Sequence, residues 1–131
     1  MTRMEVKSEK ELLCGDLSYE IIGAAMEVHN ALGPGFTENI YEEALCVELG
    51  NRRIKLDRQK AIMVNYKGVN VGDYVLDMIV EGRIILELKA TTEHSPIFDA
   101  QIYSYLRATG LKLGLLINFG AQKLSHKRIV N

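Results

Sequence analysis

Cysteine is scarce in this chain of 131 residues, and long apolar runs are missing. Cys14 and Cys46 have neither C-x-x-C spacing nor histidines close by in sequence, which argues against a zinc site or a redox pair and predicts reduced thiols. There is no run of about 18 apolar residues, and no basic segment leads into an apolar stretch with a small-residue cleavage site. These absences argue against a membrane span and a secretory signal, and they make the cytoplasm the default expectation.

An excess of positive charge is also missing. The chain has 16 basic and 17 acidic residues and a formal net charge of −1. Affinity for nucleic acid comes largely from neutralised phosphates and normally requires a clearly basic protein or stripe. Basic residues cluster only locally, at 52–60 and 123–128. We therefore expect any nucleic-acid activity to be weak in the isolated chain, or to need a homo-oligomer or a protein partner.

The order of apolar and polar residues predicts an α/β fold. We expect one domain over 16–131, preceded by a partly loose segment over 1–15. The patterns predict helices at 17–31, 37–51 and 96–109, and strands at 54–57, 61–66, 69–80, 83–89, 112–119 and 123–130. Because the helix at 96–109 separates two strands, a crossover should make those strands parallel neighbours. The expected architecture is a mixed central sheet flanked by helices.

Two acids and a lysine stand out in neighbouring strands. Glu87 and Lys89 are two residues apart on one strand and therefore share a sheet face. Asp77, on the preceding strand, joins them only if the connecting loop has an odd number of residues. A three-residue loop over 80–82, with its glycine in the left-handed region, places Asp77 opposite Ile85 and diagonal to Glu87.

These residue types suit metal-assisted hydrolysis. Mg²⁺ prefers oxygen ligands and keeps several waters, so Asp77, Glu87 and the carbonyl of Leu88 would suffice. Lys89 could orient or deprotonate an attacking water and stabilise charge on a phosphate. The alternative is a plain cross-strand salt bridge worth about 0.2–1 kcal/mol, which an E-x-K tripeptide alone would favour.

The next helix carries a second pattern. It starts at Ser95-Pro96 and stops at Gly110, and it places Gln101 and Tyr105 one turn apart. D…E-x-K followed by a helix with Q-x-x-x-Y resembles the active-site pattern of the PD-(D/E)xK nuclease superfamily, especially its RecB-like and lambda-exonuclease-like branches. The resemblance implies that Gln101 and Tyr105 support the site and contact substrate phosphates. Without it, a solvated glutamine and a core tyrosine would be the better interpretation.

A third pattern, G-x-x-E-x-x-Y, covers 35–41. Together with further matches at 32–35, 65–68, 86–90 and 108–120, it is similar to the small bacterial and archaeal family of GxxExxY proteins, over about 17–130. That family is assigned to the same superfamily. The resemblance implies a restriction-endonuclease-like core, with Glu38 as a third acid that completes or shares the metal site. Leu76 stands where the superfamily name has proline, which is a backbone position and not a ligand.

Glu38 and Tyr41 also have structural explanations. An acid in the first turn of a helix capped by Thr37 gains about 0.3–1 kcal/mol from the helix dipole. Tyr41 shares its helical face with Leu45 and Leu49, so packing is its first predicted role and a substrate contact its second.

The sequence also allows predictions for one histidine and two further glutamates. His94, in the loop after Lys89, is predicted to be either an ordinary exposed histidine or a phosphate contact. Glu42 and Glu43 are expected to face solvent.

Two functions are compatible with these features. The first is a Mg²⁺- or Mn²⁺-dependent nuclease that acts on DNA more readily than on RNA. The second is a catalytically silent nuclease-fold module that serves interaction or regulation. The combined presence of the acids, the lysine and the Q-x-x-x-Y pair favours the first function, and the near-neutral charge favours the second.

Overall fold

The computed structural model describes residues 14–131. Three helices are present, α1 (Gly15–Leu32), α2 (Glu38–Asn51) and α3 (Pro96–Thr109). The strands are β1 (Leu56–Tyr66), β2 (Val69–Val80), β3 (Ile84–Lys89), β4 (Leu113–Asn118) and β5 (Ser125–Val130). The loose segment predicted over 1–15 lies outside the described residues except for its last two, and the second of these, Gly15, already begins α1.

The strands form one sheet in the order β1-β2-β3-β4-β5. β3 and β4 are parallel, whereas the other neighbouring pairs are antiparallel. This confirms the predicted mixed sheet and the crossover through α3. The predicted division of β1 into strands at 54–57 and 61–66 is wrong, because pairing with β2 continues on both sides of Gln59.

Helices cover both faces of the sheet, so its centre is apolar on both sides. The layer beneath α1 and α2 contains Ile21, Tyr41, Leu45, Met78, Val80, Leu86, Leu88 and Leu115, among others. The layer beneath α3 contains Leu76, Ile79, Ile85, Ile102, Leu106, Leu116 and Ile129. Both layers include residues of β3, which is why Ile84, Ile85 and Leu86 follow one another without a polar residue between them.

Tyr41 fixes the entry into α2. Its side chain is fully buried and its ring stacks on Phe119, with the ring centroids 4.6 Å apart. Its hydroxyl donates to the carbonyl of Gly33 at 2.6 Å and accepts from the backbone N–H of Phe36 at 3.2 Å. The predicted packing role is confirmed. The predicted substrate contact is wrong, because a fully buried side chain offers no surface to a substrate.

The helix ends agree only partly with expectation. Gly110 ends α3 in the left-handed region at φ 77°, as predicted. Thr37 and Ser95 stand at the N-cap positions of α2 and α3, but neither side chain caps its helix. The Thr37 hydroxyl instead donates to the Asn39 side chain, so the predicted Thr37 cap is wrong.

The cysteines and the helix lengths were also addressed by predictions from the sequence. Cys14 and Cys46 are free thiols. None of the helices in the described part of the chain has the length and apolar character that crossing a bilayer requires.

Candidate active site

The β2–β3 turn decides where Asp77 stands relative to Glu87. The turn spans 81–83 and follows a ladder that pairs Val80 with Ile84, Ile79 with Ile85 and Met78 with Leu86. The predicted odd length and the left-handed Gly82 are confirmed, but the turn lies one residue later than predicted. Extending this register places Asp77 opposite Glu87 instead of Ile85.

The turn lies one residue later because Glu81, its first residue, is hydrogen-bonded to Lys55, directly before β1. The N–H of Glu81 donates to the carbonyl of Lys55 at 2.8 Å, and the Glu81 carboxylate accepts from the N–H of Lys55 at 2.7 Å. Val80 therefore remains in the strand, paired with Leu56. Glu81 and Gly82 both take left-handed backbone conformations, at φ 53° and 64°.

Asp77 lies at an irregularity in β2. The pairing of β2 with β3 ends at Met78. In the ladder between β1 and β2, Asp77 and Gln59 stand opposite each other but are not paired, and Gln59 has a left-handed φ of 53°. Leu76 packs beneath α3, whereas Met78, two residues later, packs beneath α1 and α2. In a regular strand, residues two apart face the same side of the sheet, so this order is broken at Asp77. The exposed Asp77 side chain therefore lies at an opening between β2 and β3.

Carboxylates from β2 and α2 meet at this opening. Asp77, Glu38 and Glu42 line a cavity of about 190 Å³, which we call the acidic pocket, and Leu88 of β3 contributes to its wall. The prediction that Glu42 faces solvent is wrong, since its side chain is only 18% exposed and pairs with Arg58 at 3.1 Å. Because Glu42 follows Glu38 by one helical turn, helix periodicity could have identified it.

Glu87 is the buried acid of the site. It is 8% exposed, and its pKa rises from 4.5 to about 7, first because burial desolvates the charge and then because Asp77 repels it. Glu38 and Glu42 act in the same direction. The ammonium of Lys89 opposes the shift, with its Nζ 3.9 Å from Oε2 of Glu87. The net effect is an excess of negative charge that a bound cation would relieve.

Lys89 connects the acidic cluster with the start of α3. Its side chain is 17% exposed, and its Nζ lies 4.5 Å from the centroid of the Phe98 ring. The aromatic face and the Glu87 carboxylate together hold the ammonium in a partly desolvated position.

Tyr105 lies within electrostatic range of the acids. Its ring stacks on Tyr74 with centroids 4.9 Å apart, and the two hydroxyls are 2.8 Å apart. Burial raises the pKa of Tyr105, and the hydrogen bond to Tyr74 and the charges of Glu87 and Asp77 raise it further. Tyr74 was not predicted, because its significance comes from contact with Tyr105, 31 residues later in the chain.

Neither Gln101 nor His94 is among the residues that line the acidic pocket around Asp77. Gln101 is half-buried on α3. His94 lies with Nε2 3.3 Å from Oδ1 of Asp99 and lines a different cavity, which also adjoins Lys89.

The donor set of the acidic pocket suits a hard divalent cation. Among residues 14–131, no group of three or more His, Cys, Asp or Glu side chains is arranged so that it could hold a metal ion. Hard cations keep several waters, however, and two carboxylates with one carbonyl can be enough. Asp77 and Glu38 share the pocket with Leu88, and Glu87 is destabilised as an anion beside them. The chemistry of these residues therefore fits Mg²⁺ or Mn²⁺.

Comparison with known proteins identifies the family of this chain and a solved structure with a similar fold. A family model of the PD-(D/E)XK nuclease superfamily matches residues 15–129. The solved structure titled "Crystal structure of SSO0001" is similar with a TM-score of 0.57 and 14% sequence identity, over 90% of this chain and 60% of that chain. This chain thus spans about 60% of the length of that protein, and the likeness supports the fold alone. The comparison with curated proteins gave no match.

Proposed function

Because this chain belongs to the PD-(D/E)XK nuclease superfamily, we propose that it hydrolyses phosphodiester bonds of nucleic acid with the help of a divalent metal ion. DNA is the proposed substrate in preference to RNA. The observation that carries the proposal is the end of the β2–β3 pairing at Met78, which leaves Asp77 at an opening within electrostatic range of the buried Glu87. Glu87 in turn lies 3.9 Å from the ammonium of Lys89. A structural salt bridge would not require the strands to separate at the acids.

Asp77, Glu87 and the carbonyl of Leu88 would hold the ion, with Glu38 completing or sharing the site. The buried carboxylate favours a cation because its own ionisation is disfavoured there. When bound, Mg²⁺ or Mn²⁺ supplies polarisation of a phosphate oxygen and acidifies a coordinated water.

The remaining side chains would act on substrate and water. Lys89, held next to Glu87, would orient the attacking water and stabilise negative charge on the phosphate. Tyr105 would support the site through its contact with Tyr74, and Gln101, on the same helix, would approach a bound strand. His94 would contact a phosphate from the loop before α3.

Within the superfamily, we propose to place the chain in the GxxExxY family, in the RecB-like or lambda-exonuclease-like branch. A physical account of the motif at 35–41 supports this assignment. Tyr41 fastens the loop before α2 to the core through Gly33 and Phe36. Glu38, one turn earlier, lines the acidic pocket. The tyrosine would thus anchor the segment that presents the glutamate.

The proposal includes weak binding by the isolated chain. Its net charge of −1 gives little general attraction for a polyanion. A homo-oligomer or a protein partner in the cytoplasm would supply the missing affinity.

A catalytically silent interaction module is the second candidate. The outer part of the β1–β2 hairpin supports it, because several large apolar side chains there are exposed, including Met63, Tyr66, Val69, Val71 and Val75. Exposed apolar residues grouped in this way are typical of protein interaction surfaces.

A cleavage panel separates the two candidates. Single-stranded and duplex DNA and RNA would be incubated with Mg²⁺ or Mn²⁺ and the wild type, Asp77→Ala or Asp73→Ala. Asp73 is a matched control, since it is an exposed aspartate on the same strand outside the acidic pocket. Metal-dependent cleavage by the wild type and Asp73→Ala, but not by Asp77→Ala, supports the nuclease. No cleavage of any substrate by the wild type favours the interaction module.

A further inference from the structure

A second cavity adjoins Lys89 at the carboxyl ends of the two parallel strands. Its volume is about 250 Å³, and its lining includes Lys89, His94, Phe98, Asn118, His126 and Lys127. Lys89 and Asn118 are the last residues of β3 and β4. Crevices outside the carboxyl ends of parallel strands are the usual ligand sites of open α/β sheets.

The charge of this cavity is opposite to that of the acidic pocket. Four of its lining side chains are lysine or histidine, whereas the acidic pocket is lined by three carboxylates. Asp99 pairs with one of the four, with Oδ2 2.5 Å from Nζ of Lys127. Its buried Oδ1 makes no hydrogen bond within the described residues but lies 3.3 Å from Nε2 of His94. One carboxylate thus lies beside two potential cations, and Lys89 and His126 add to them.

The start of α3 adds to this positive potential. Pro96 opens the helix, and Ser95 at the N-cap leaves the helix without a side-chain cap. The free N–H groups of a first turn carry partial positive charge and favour an anion nearby. The asparagine in the lining plays a structural part, because its side chain bonds Thr91 and Gly120 and fixes the adjoining loops.

We propose that this cavity binds an internal phosphate group of the nucleic-acid strand, adjacent to the phosphodiester that is cut. The inference rests on the proposed function, since it takes Lys89 as the point where the two sites meet. Lys89 lies 3.9 Å from Glu87 and also lines the cavity, so a strand passing over it would reach both. A local cluster of this kind would allow a chain of net charge −1 to engage a polyanion.

Binding without cleavage tests the proposal. A fluorescein-labelled single-stranded DNA of about a dozen nucleotides would be titrated in EDTA against Asp77→Ala protein, with and without the added pair Lys127→Ala and His126→Ala. Loss of phosphate contacts should weaken Kd roughly tenfold at low salt and reduce the salt dependence by about one to two counterions. Lys112→Ala, which removes an exposed lysine just before the opposite end of β4, should change Kd less than about twofold. Equal affinity in the paired variant and in Lys112→Ala would overturn the assignment.

Two further measurements keep the result unambiguous. DNA with and without a 5′-phosphate should bind equally, and binding that requires the terminal phosphate would contradict an internal site. Inorganic phosphate should shift the imidazole NMR signals of His94 and His126 in the wild type and less so in Lys127→Gln, which preserves the length of the side chain. Shifts of the same size in both proteins would reject the site. Lys127 is exposed, so either substitution should leave the fold intact.

Failure of this proposal can be told apart from failure of the nuclease function. If the wild type cuts no substrate but the phosphate and DNA effects appear, the cavity is a phosphate site and the enzyme proposal fails. If the wild type cuts DNA and the paired variant has unchanged Kd and KM, the nuclease proposal stands and the phosphate site is rejected.

Discussion

Replacing Glu87 with glutamine should stabilise the metal-free protein at alkaline pH and have little effect in acid. The folded-state pKa of Glu87 is raised from 4.5 to about 7 by burial and by the charge of Asp77. The folded protein therefore binds this proton more tightly than the unfolded chain does. The associated stability is fully present below about pH 4.5 and is lost as the pH rises through 7. Glutamine has a similar shape and no charge to desolvate.

The size of the effect follows from the shift. A change from 4.5 to about 7 is about 2.5 units, and each unit corresponds to about 1.4 kcal/mol. At pH 8, Glu87→Gln should thus raise the free energy of unfolding by at most about 3 kcal/mol. For a chain of this size the melting temperature would rise by roughly 10 °C.

Thermal unfolding in EDTA at pH 4 and pH 8 measures this directly. Glu93→Gln is the matched control, because Glu93 is exposed in the loop before α3. Adding Mn²⁺ at pH 8 should raise the melting temperature of the wild type and largely close the gap to Glu87→Gln, since a cation compensates the buried charge. A Glu87→Gln variant that is no more stable than the wild type at pH 8, or equally changed at both pH values, would refute the claim that the site carries uncompensated negative charge.

Three other substitutions test separate parts of the site and its support. Asp77→Ala should abolish Mn²⁺ binding in calorimetry while Asp73→Ala retains it; unchanged affinity in Asp77→Ala would rule out a metal site there. Lys89→Ala should keep metal binding and the fold, yet lose cleavage in a gel assay. Wild-type cleavage rates would reject the role of Lys89. Tyr41→Phe should lose about 1 kcal/mol in urea unfolding, because it removes the hydrogen bond to the partly buried carbonyl of Gly33. A loss below about 0.5 kcal/mol would mean that another donor replaces the hydroxyl.

Local pattern was sufficient for β4 and for α3 before it. β4 is an uninterrupted apolar run, α3 carries a helical period, and both are bounded by glycine or proline. The crossover then followed from connection rules. β1 was misjudged because the polar stretch at 57–60 resembles a turn in the sequence. Its pairing with β2, a contact between distant residues, keeps that stretch in the strand.

For the candidate site, the odd length of the β2–β3 turn was predictable but its register was not. That Asp77 and Glu87 share a side of the sheet stays a prediction, because the pairing of β2 with β3 ends at Met78. The exact loop depended on the bonds between Glu81 and Lys55, which are 26 residues apart and leave no local signature. Tyr74 was missed for a similar reason, since its significance comes from the stacking of Tyr105 on it.

The error in β1 and the opening of the site have the same physical origin. Gln59 adopts a left-handed backbone conformation, which costs a residue with a side chain about 1–2 kcal/mol, and it stands across from Asp77 where the alternation of sides reverses. A regular ladder would have kept β2 paired with β3 past Met78 and left no opening for a cation or a phosphate. Left-handed strain at Gln59, across from the point where β2 also leaves β3, is more consistent with a preorganised site than with a stabilising ion pair. This is the strongest structural reason to treat the acids as functional.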